Sequence, residues 1–186
     1  VMSFATGPKG KVIALEPHPG MVERLKANVE LNRVDNVSIM PVALSDSAGR
    51  SILYTPEEDQ INQGRSSLKP SQGINREITV EKITGEMLQD EIGNRLCKFI
   101  KIVGEGHDFI VLKELAFIIE KHRPHLIFEY QRDRWKEHHC DIQEAVEFII
   151  SFDYRIYFVK HDLVFPFERA VPDSCDIFCS PKILLL

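Results

Sequence analysis

The stretch FIKIVGEGHD, residues 99–108, decides the fold of this chain. Its first four residues form the apolar run of a buried strand, and two glycines with a glutamate between them follow a valine and end the run. The pattern of a long amphipathic helix begins at once, at Asp108. In an open α/β sheet, a strand that passes directly into a helix ends at the edge where ligands bind. The turn after residue 102 is therefore the first candidate for a functional site.

A second acidic strand end lies near the beginning of the chain. The run VIAL, residues 12–15, is followed by Glu16 and by Pro17, which cannot continue a strand ladder. In nucleotide-binding α/β folds an acid at this position accepts hydrogen bonds from ribose hydroxyls. The alternative is a solvated loop acid, the commoner place for a glutamate. Two acidic strand ends in one chain indicate a nucleotide-like ligand.

Strands and helices alternate along the sequence. Apolar runs predict strands at 11–15, 37–44, 51–54, 78–80, 98–102, 125–129, 154–159 and 176–179, and helical periodicity predicts helices at 19–31, 84–92, 108–122 and 142–151. Residues 56–76 read as a long polar loop, and residues 131–140 as an exposed loop or helix start in which residues 132–135 form a solvated face with one anchoring aromatic. This order predicts a mostly parallel sheet with helices on both faces. The last two strands have no helix between them, so we expect them to pair antiparallel.

Composition narrows the class of protein. The chain has 186 residues, 44% of them hydrophobic, 27% charged and four of them cysteine, with a net charge of −5. We expect one domain over residues 1–186. Scattered basic residues argue against nucleic-acid binding, and the apolar runs are too short to cross a membrane. The cysteine pattern suits a reducing, cytoplasmic setting, and His138, His139, Cys140 and Cys175 do not have zinc-site spacing, so no metal is expected.

Several residues near the first turn could carry chemistry. The Glu105 carboxylate could orient an amine and the His107 imidazole could take up a proton near neutral pH. The alternative is a plain strand-to-helix turn with Asp108 as the N-cap. Glu129 ends the next strand, so we expect Glu16, Glu105 and Glu129 to meet at one edge of the sheet. Residues 62–67 could form a lid or substrate loop, or an ordinary surface loop.

An ordered set of motifs spans nearly the whole chain. It comprises GPKGKVIALEPHP (7–19), LKANVELN (25–32), NV (36–37), VALSD (42–46), GRSSL (64–68), FIKI (99–102), EGH (105–107), RP (123–124) and CSPK (179–182). Each piece alone is weak, but together and in this order they are fairly specific. The sequence resembles the FkbM family of S-adenosylmethionine-dependent methyltransferases.

The resemblance implies a Rossmann-like class I methyltransferase fold and S-adenosylmethionine as cofactor. Glu16 would hold the ribose of the cofactor, and Ala43 and Asp46 would lie near the adenine. Glu105 is a candidate both for cofactor binding and, with His107, for the base that takes a hydroxyl proton. The serine pair Ser66 and Ser67, together with Glu129, would face a small-molecule substrate. Family members typically methylate a hydroxyl of a sugar or another small metabolite, which makes the chain an O-methyltransferase by resemblance; its oligomeric state stays open.

The sequence departs from the family pattern in two places. The family's first strand and glycine-rich loop would precede Val1, so we expect a chain that is N-terminally truncated relative to the family, with the first strand missing and residues 1–5 as the tail of a helix. The strands 11–16 and 98–102 would then flank a vacant or differently filled position. The family usually has an aspartate where this chain has Val103, and Gly104 also differs.

Two other functions remain open at this point. Val103 favours a degenerate, non-catalytic methyltransferase-like domain that binds a metabolite or a protein. A nicotinamide-dependent oxidoreductase would share the acid at Glu16, but it would lack the paired antiparallel strands predicted at the C-terminus.

Overall fold

The computed structural model describes residues 1–56, 66–70, 76–161, 163–167 and 171–182, and helices alternate with strands through most of them. The chain divides into an N-terminal unit, Val1–Ile83, and a C-terminal unit, Thr84–Leu186. The expectation of a single domain over residues 1–186 stays a prediction.

Among its described residues, the N-terminal unit contains two helices and two small sheets. Its elements are α1 (Met2–Thr6), β1 (Val12–Leu15), α2 (Pro19–Leu31), β2 (Val37–Met40), β3 (Val42–Leu44), β4 (Gly49–Thr55) and β5 (Arg76–Ile83). Strands β1 and β2 pair in parallel. In the second sheet β5 lies between β3, to which it is parallel, and β4, to which it is antiparallel. The expected helix at the start of the chain is confirmed by α1.

A proline divides the strand that the sequence predicts at 37–44. Strand β2 ends at Met40, and β3 begins at Val42 and belongs to the other sheet. Pro41 stands between them and has no N–H to donate to a ladder, so an uninterrupted strand is disfavoured there. The prediction of one strand is wrong for this reason.

The C-terminal unit is built on a five-stranded sheet. Its elements are α3 (Gly85–Ile92), β6 (Phe99–Ile102), α4 (Asp108–Glu114), α5 (Ala116–His122), β7 (His125–Gln131), α6 (Arg132–Glu137), α7 (Ile142–Ser151), β8 (Tyr154–Lys160), β9 (Leu163–Pro166) and β10 (Ser174–Pro181). The strand order is β6-β7-β10-β8-β9. Strand β6 is parallel to β7, and every other pairing in this sheet is antiparallel.

The predicted antiparallel pairing at the C-terminus is confirmed by β8 and β10. The expectation of a mostly parallel sheet holds only in part, because three of the seven strand pairings that the structure describes are parallel. The reason lies partly in the connections: β8 and β9 form a hairpin, which joins antiparallel strands, whereas parallel strands need a longer crossover connection.

Strands β1 and β6 each pair on one side only among the described strands. They lie in different units, so the expected vacant position between them stays a prediction. Side chains on β6 are partly uncovered, with Phe99 and Lys101 exposed. At the opposite end of the same sheet, β9 is an exposed edge strand whose side chains include Leu163, Val164 and Phe165.

Trp135 is the centre of an aromatic cluster in the C-terminal unit. Its ring lies 5.3–6.1 Å, between centroids, from the rings of Phe109, Phe128 and Tyr130. Its indole N–H donates to the carbonyl oxygen of Glu129 over 3.1 Å. The helix start predicted within residues 131–140 is confirmed by α6, and the anchoring aromatic is Trp135, whereas the predicted exposure is wrong for Arg134 and His138, which are buried.

Two predicted helix features differ in the structure. The helix expected over 108–122 is two helices that meet at Leu115. The helix predicted at 84–92 begins at Gly85, and the Thr84 side chain makes no capping hydrogen bond; the Gly85 N–H donates to Glu114 Oε2 over 2.9 Å. A Cβ on Gly85 would lie 1.8 Å from the Glu114 carbonyl oxygen, so this close helix–helix contact requires glycine.

A buried tyrosine joins the start of β8 to the short connection between α5 and β7. The Tyr154 hydroxyl donates to the Pro124 carbonyl oxygen over 2.7 Å. Arg123, which has a left-handed backbone with φ of 50°, donates to the carbonyl oxygens of Phe152 and Asp153. Burial raises the pKa of Tyr154 to about 12, against the opposing charge of Arg123, so the hydroxyl remains a donor at neutral pH.

We expect Tyr154→Phe to lower the free energy of unfolding by about 1–3 kcal/mol, because the buried Pro124 carbonyl loses its donor. The matched control is Tyr157→Phe, since the Tyr157 hydroxyl has no hydrogen bond within the described residues and its loss should cost less than about 0.5 kcal/mol. Urea unfolding followed by circular dichroism measures both. Equal effects of the two substitutions would contradict the proposed role of the bond.

Candidate functional site

The turn between β6 and α4 is organised by the carboxylate of Asp108. The Gly104 N–H donates to Asp108 Oδ1 over 3.0 Å, and the Gly106 N–H donates to Oδ2 over 3.1 Å. The two amides flank Glu105, whose backbone is left-handed with φ of 49°. The His107 N–H closes the turn on the Gly104 carbonyl oxygen over 3.0 Å. Both oxygens of one side chain thus hold the backbone on either side of Glu105.

The left-handed conformation of Glu105 occurs at an unusual position relative to the helices. Among the described residues, the other non-glycine residues with positive φ are Arg33, Arg123, His139, Asp153 and His161. Four of them lie one or two residues after the end of a helix, where such conformations are common, and one lies in the β8–β9 turn. Glu105 instead precedes a helix. The conformation costs about 1–2 kcal/mol, which two hydrogen bonds to a carboxylate, at about 1.5–3 kcal/mol each, can offset.

Gly106 is required by packing. A Cβ there would lie 2.5 Å from the Arg134 carbonyl oxygen, and φ at Gly106 is 98°. The backbone of α6 therefore fills the space beside Gly106. Glycine is needed at this position for contact with another part of the chain rather than with a ligand. Gly104 has more room, since its Cβ would lie 3.2 Å from the Asp108 nitrogen.

Asp108 is the residue whose importance the sequence did not show. The N-cap of α4 is His107, and Asp108 is the first residue of the helix, only 1% exposed. Burial raises the pKa of Asp108 to about 6, the hydrogen bonds from backbone amides oppose that rise, and the charge of Glu129 adds to it. A signal was available: an acid four residues after a glycine that ends a strand, with a second glycine between them.

Glu129 lies at the same sheet edge as this turn. Strands β6 and β7 are parallel, and Ile102 is paired with Phe128. Glu129 therefore lies at the same level of the sheet as the first residue of the turn. The strand continues to Gln131, two residues further than predicted. Glu129 is half-buried, and its charge acts on the Asp108 carboxyl. The predicted proximity of Glu129 to the Glu105 turn agrees with this register.

His107 is less accessible than a catalytic base would be. Its ring is buried and meets the buried ring of His138 edge to face, with centroids 5.5 Å apart. Glu105 is half-buried and Val103 is 55% exposed, so the two lie nearer to solvent than His107. The edge of the sheet thus presents a valine and a glutamate, with the histidine behind them.

In the N-terminal unit, Glu16 follows β1 and is held by its own loop. The His18 N–H donates to Glu16 Oε1 over 2.8 Å, and the Glu16 N–H extends the ladder to the Met40 carbonyl oxygen. Burial raises the pKa of Glu16, and the hydrogen bond from His18 opposes the rise. The carboxylate is half-buried at the carboxyl end of a parallel strand, with one oxygen fixed by the backbone.

His18 supports both this loop and the helix after it. It is the N-cap of α2, and its Nδ1 accepts from the Met21 N–H over 3.3 Å. Burial lowers the pKa of His18, with smaller contributions from the charges of Arg76 and Arg24, so the ring is neutral and can accept at neutral pH. His18 is not among the predicted site residues, although a residue between two prolines at a helix start is a recognisable signal.

The other predicted cofactor residues lie at the end of β3. Ala43 is buried within the strand. Asp46 is exposed, and its Oδ1 accepts from the hydroxyls of Ser45 and Ser47 over 3.1 Å and 3.3 Å. The Lys82 ammonium donates to the Ser47 hydroxyl over 2.9 Å. Asp46 is therefore an oriented carboxylate at a strand end.

The predicted serine pair lies beside β4. Ser67 is buried, exchanges two backbone hydrogen bonds with Tyr54, and accepts from the Lys69 N–H with its hydroxyl over 3.3 Å. Ser66 is half-buried. Residues 62–65 of the predicted lid lie outside the described residues.

A cavity of about 460 Å³ opens at the carboxyl ends of β1 and β2 in the N-terminal unit. Its walls are formed by Pro17, Pro41, the first half of α2 and part of β5. None of Glu16, Ala43 and Asp46 lines it, although Glu16 directly precedes Pro17. The described part of the chain contains no group of three or more acidic, histidine or cysteine side chains that could hold a metal ion. Among the residues described, no helix has the length and apolar character to span a membrane.

Glu16 and Glu105 lie in different units, so the expectation that they share one sheet edge stays a prediction. Within each unit, however, an acidic side chain follows a parallel strand: Glu16 follows β1, and Glu105 follows β6. In both, backbone amides of the next few residues are held by a carboxylate.

We expect the stability of the wild-type chain to fall relative to Asp108→Asn as the pH rises from about 4 to about 7. The folded-state pKa of Asp108 is raised to about 6 from 3.8, so the folded state binds the proton more tightly. The stability it contributes is complete below the unfolded pKa and lost as pH rises through the folded one, a change on the order of 3 kcal/mol. Urea unfolding of both chains across this range measures it, and a constant difference would contradict the burial of the charge.

Residues 1–156 match the family model of the methyltransferase FkbM domain. A crystal structure of an FkbM methyltransferase from Methylobacillus flagellatus KT is similar to this chain with a TM-score of 0.56 at 16% sequence identity, covering 90% of this chain. This chain spans 36% of the length of that protein, and the likeness concerns the fold alone. No curated protein sequence matches this chain. The match over residues 1–156 shows that the chain belongs to the FkbM methyltransferase family.

Proposed function

We propose that this chain carries out S-adenosylmethionine-dependent methyl transfer to a hydroxyl of a small metabolite or sugar. The observation that carries the proposal is the Glu16 carboxylate, which lies at the carboxyl end of a parallel strand with one oxygen held by the His18 amide. Membership of the FkbM family supports methyl transfer in general. The choice of a hydroxyl as methyl acceptor and of S-adenosylmethionine as cofactor goes beyond this family membership and belongs to the proposal.

The residues of the N-terminal unit fit the adenosine part of this cofactor. A half-buried carboxylate with one oxygen already fixed presents its remaining acceptor positions in a defined direction, which suits a ribose diol. Asp46, oriented by two serine hydroxyls, and the small side chain of Ala43 would lie toward the adenine. When bound, S-adenosylmethionine supplies an electrophilic methyl group.

Residues of the C-terminal unit supply the proton acceptor in this proposal. Glu105 is favoured over His107 as the base that takes the hydroxyl proton, because His107 is buried against His138. Glu129, at the same sheet edge, and the serine pair Ser66 and Ser67 are proposed to contact the substrate. Because methyl transfer is an in-line displacement, most of the rate gain would come from positioning.

The proposed partner is a small molecule rather than a nucleic acid or a membrane. The net charge of −5 disfavours a phosphate backbone as ligand. The four cysteines are free thiols, which suits a reducing compartment such as the cytoplasm.

One observation favours a second candidate function, a non-catalytic methyltransferase-like binding domain. Val103 is 55% exposed at the end of β6, where the family resemblance places an aspartate. A valine neither accepts a hydrogen bond nor balances a positive charge there. Under this alternative, the adenosine end would still be recognised through Glu16, and no methyl group would be transferred.

We expect Glu16→Gln to weaken binding of S-adenosylhomocysteine by roughly tenfold to a hundredfold, because hydrogen bonds to a charged group contribute about 1.5–3 kcal/mol and about 1.4 kcal/mol is tenfold in affinity. Calorimetric titration of the wild-type chain and the variant measures this. The matched control is Glu30→Gln, an exposed acid on α2 whose replacement should leave affinity unchanged. Unchanged affinity in Glu16→Gln, or no binding by the wild-type chain, would overturn the cofactor assignment.

We expect Val103→Asp to raise methyl transfer to small hydroxylated acceptors at least about tenfold, the value of one charged hydrogen bond. Because the side chain is exposed, the free energy of unfolding should change by less than about 0.5 kcal/mol. Val103→Asn, with similar size and no charge, is the control and should give a smaller gain. Radiolabelled methyl transfer is the measurement; absence of transfer in all three chains would support the non-catalytic alternative.

A further inference from the structure

Asp108 is placed where it can act only on its own turn. Its side chain is 1% exposed, so it cannot contact a substrate. Both of its carboxylate oxygens are occupied, one by the Gly104 amide and the other by the Gly106 amide. Between those two amides lies a single residue, Glu105, so the carboxylate fixes the peptide groups on both sides of it.

The surroundings leave this turn little freedom on its far side. The carbonyl oxygen of Arg134 lies within 2.5 Å of where a Gly106 Cβ would be, so α6 blocks one direction of movement. Of residues 104–106, only Glu105 carries a side chain. Fixing the backbone here therefore fixes where one carboxyl side chain begins.

We propose that Asp108 is a positioning residue that holds Glu105 in its left-handed conformation and thereby aims the Glu105 carboxyl group at the carboxyl end of β6. The catalytic meaning of this role rests on the proposed function, in which Glu105 is the base. The geometric part, control of the turn by Asp108, does not depend on it.

The role makes the turn sensitive to protonation of Asp108. A protonated carboxyl keeps one good acceptor oxygen, so one of the two flanking amides loses its partner. The groups that face this carboxyl are Glu129 from β7, whose charge favours protonation, and the backbone amides of Gly104, Gly106 and Asp108 itself, which oppose it. His107 adjoins it in sequence, and α6 brings Arg134 and His138 against Gly106. The pKa of Asp108, raised to about 6 by burial, puts the change close to neutral pH.

The test follows the amide protons of Gly104 and Gly106 by nuclear magnetic resonance in the full chain. We expect both signals to titrate together with a midpoint near 6 and to move to higher field on protonation. In Glu129→Gln the shared midpoint should fall, because a charge that favours protonation is removed. In Asp108→Asn the titration should vanish, and in Asp108→Glu it should return if the longer side chain reaches both amides. Amides that do not titrate in the wild-type chain, or that titrate unchanged in Asp108→Asn, would overturn the proposal.

A kinetic measurement extends the test to function. Asp108→Asn should lower kcat for methyl transfer at pH 8 at least about tenfold with little change in KM, since a misdirected base affects the reacting step rather than binding. Asp108→Glu should restore part of kcat. A rise in KM with kcat unchanged would overturn the positioning role. A wild-type chain without methyl transfer, but with the titrating glycine amides, would refute the proposed function and leave the control of the turn by Asp108 supported.

Discussion

The hydrogen bonds between the Asp108 carboxylate and the Gly104 and Gly106 amides are the constraint on which the candidate catalytic edge depends. They let β6 pass into α4 with a glutamate in a backbone conformation that is otherwise unfavourable. The cost is a carboxylate kept almost entirely out of water, which shows as its raised pKa. Such an arrangement persists only where the rest of the fold holds the groups in place.

The helix α6 is what holds them. Trp135 anchors it in the aromatic cluster and donates to the Glu129 carbonyl oxygen, while the Arg134 carbonyl oxygen packs on Gly106. One short helix therefore links the end of β7 to the turn after β6. The two candidate acids of this unit, Glu105 and Glu129, are held by neighbouring contacts of the same element.

The sequence predicted the helices α2 and α7 and the strands around both acidic strand ends because these depend on local periodicity and on proline and glycine positions. It failed where long-range packing decided the outcome. Pro41 separates the strand predicted at 37–44 into two strands of different sheets, and Arg134 and His138 are buried in a segment predicted to be exposed. At the candidate site, Glu16 and Glu105 were visible as acids at strand ends, whereas the roles of Asp108 and His18 depend on hydrogen bonds to backbone amides, at which their sequence positions only hint.

The hairpin of β8 and β9 has a consequence for how this chain behaves in concentrated solution. Strand β9 is the last of its sheet among the described strands, and Leu163, Val164 and Phe165 are all exposed along it. An apolar sheet edge of this kind can pair with another extended chain. Pro166 restricts such pairing because it has no N–H to donate. The exposed apolar side chains of β9 therefore make this hairpin a site where the chain can aggregate, and Val164→Lys would lower that tendency at a position in a different strand from the acids of the site.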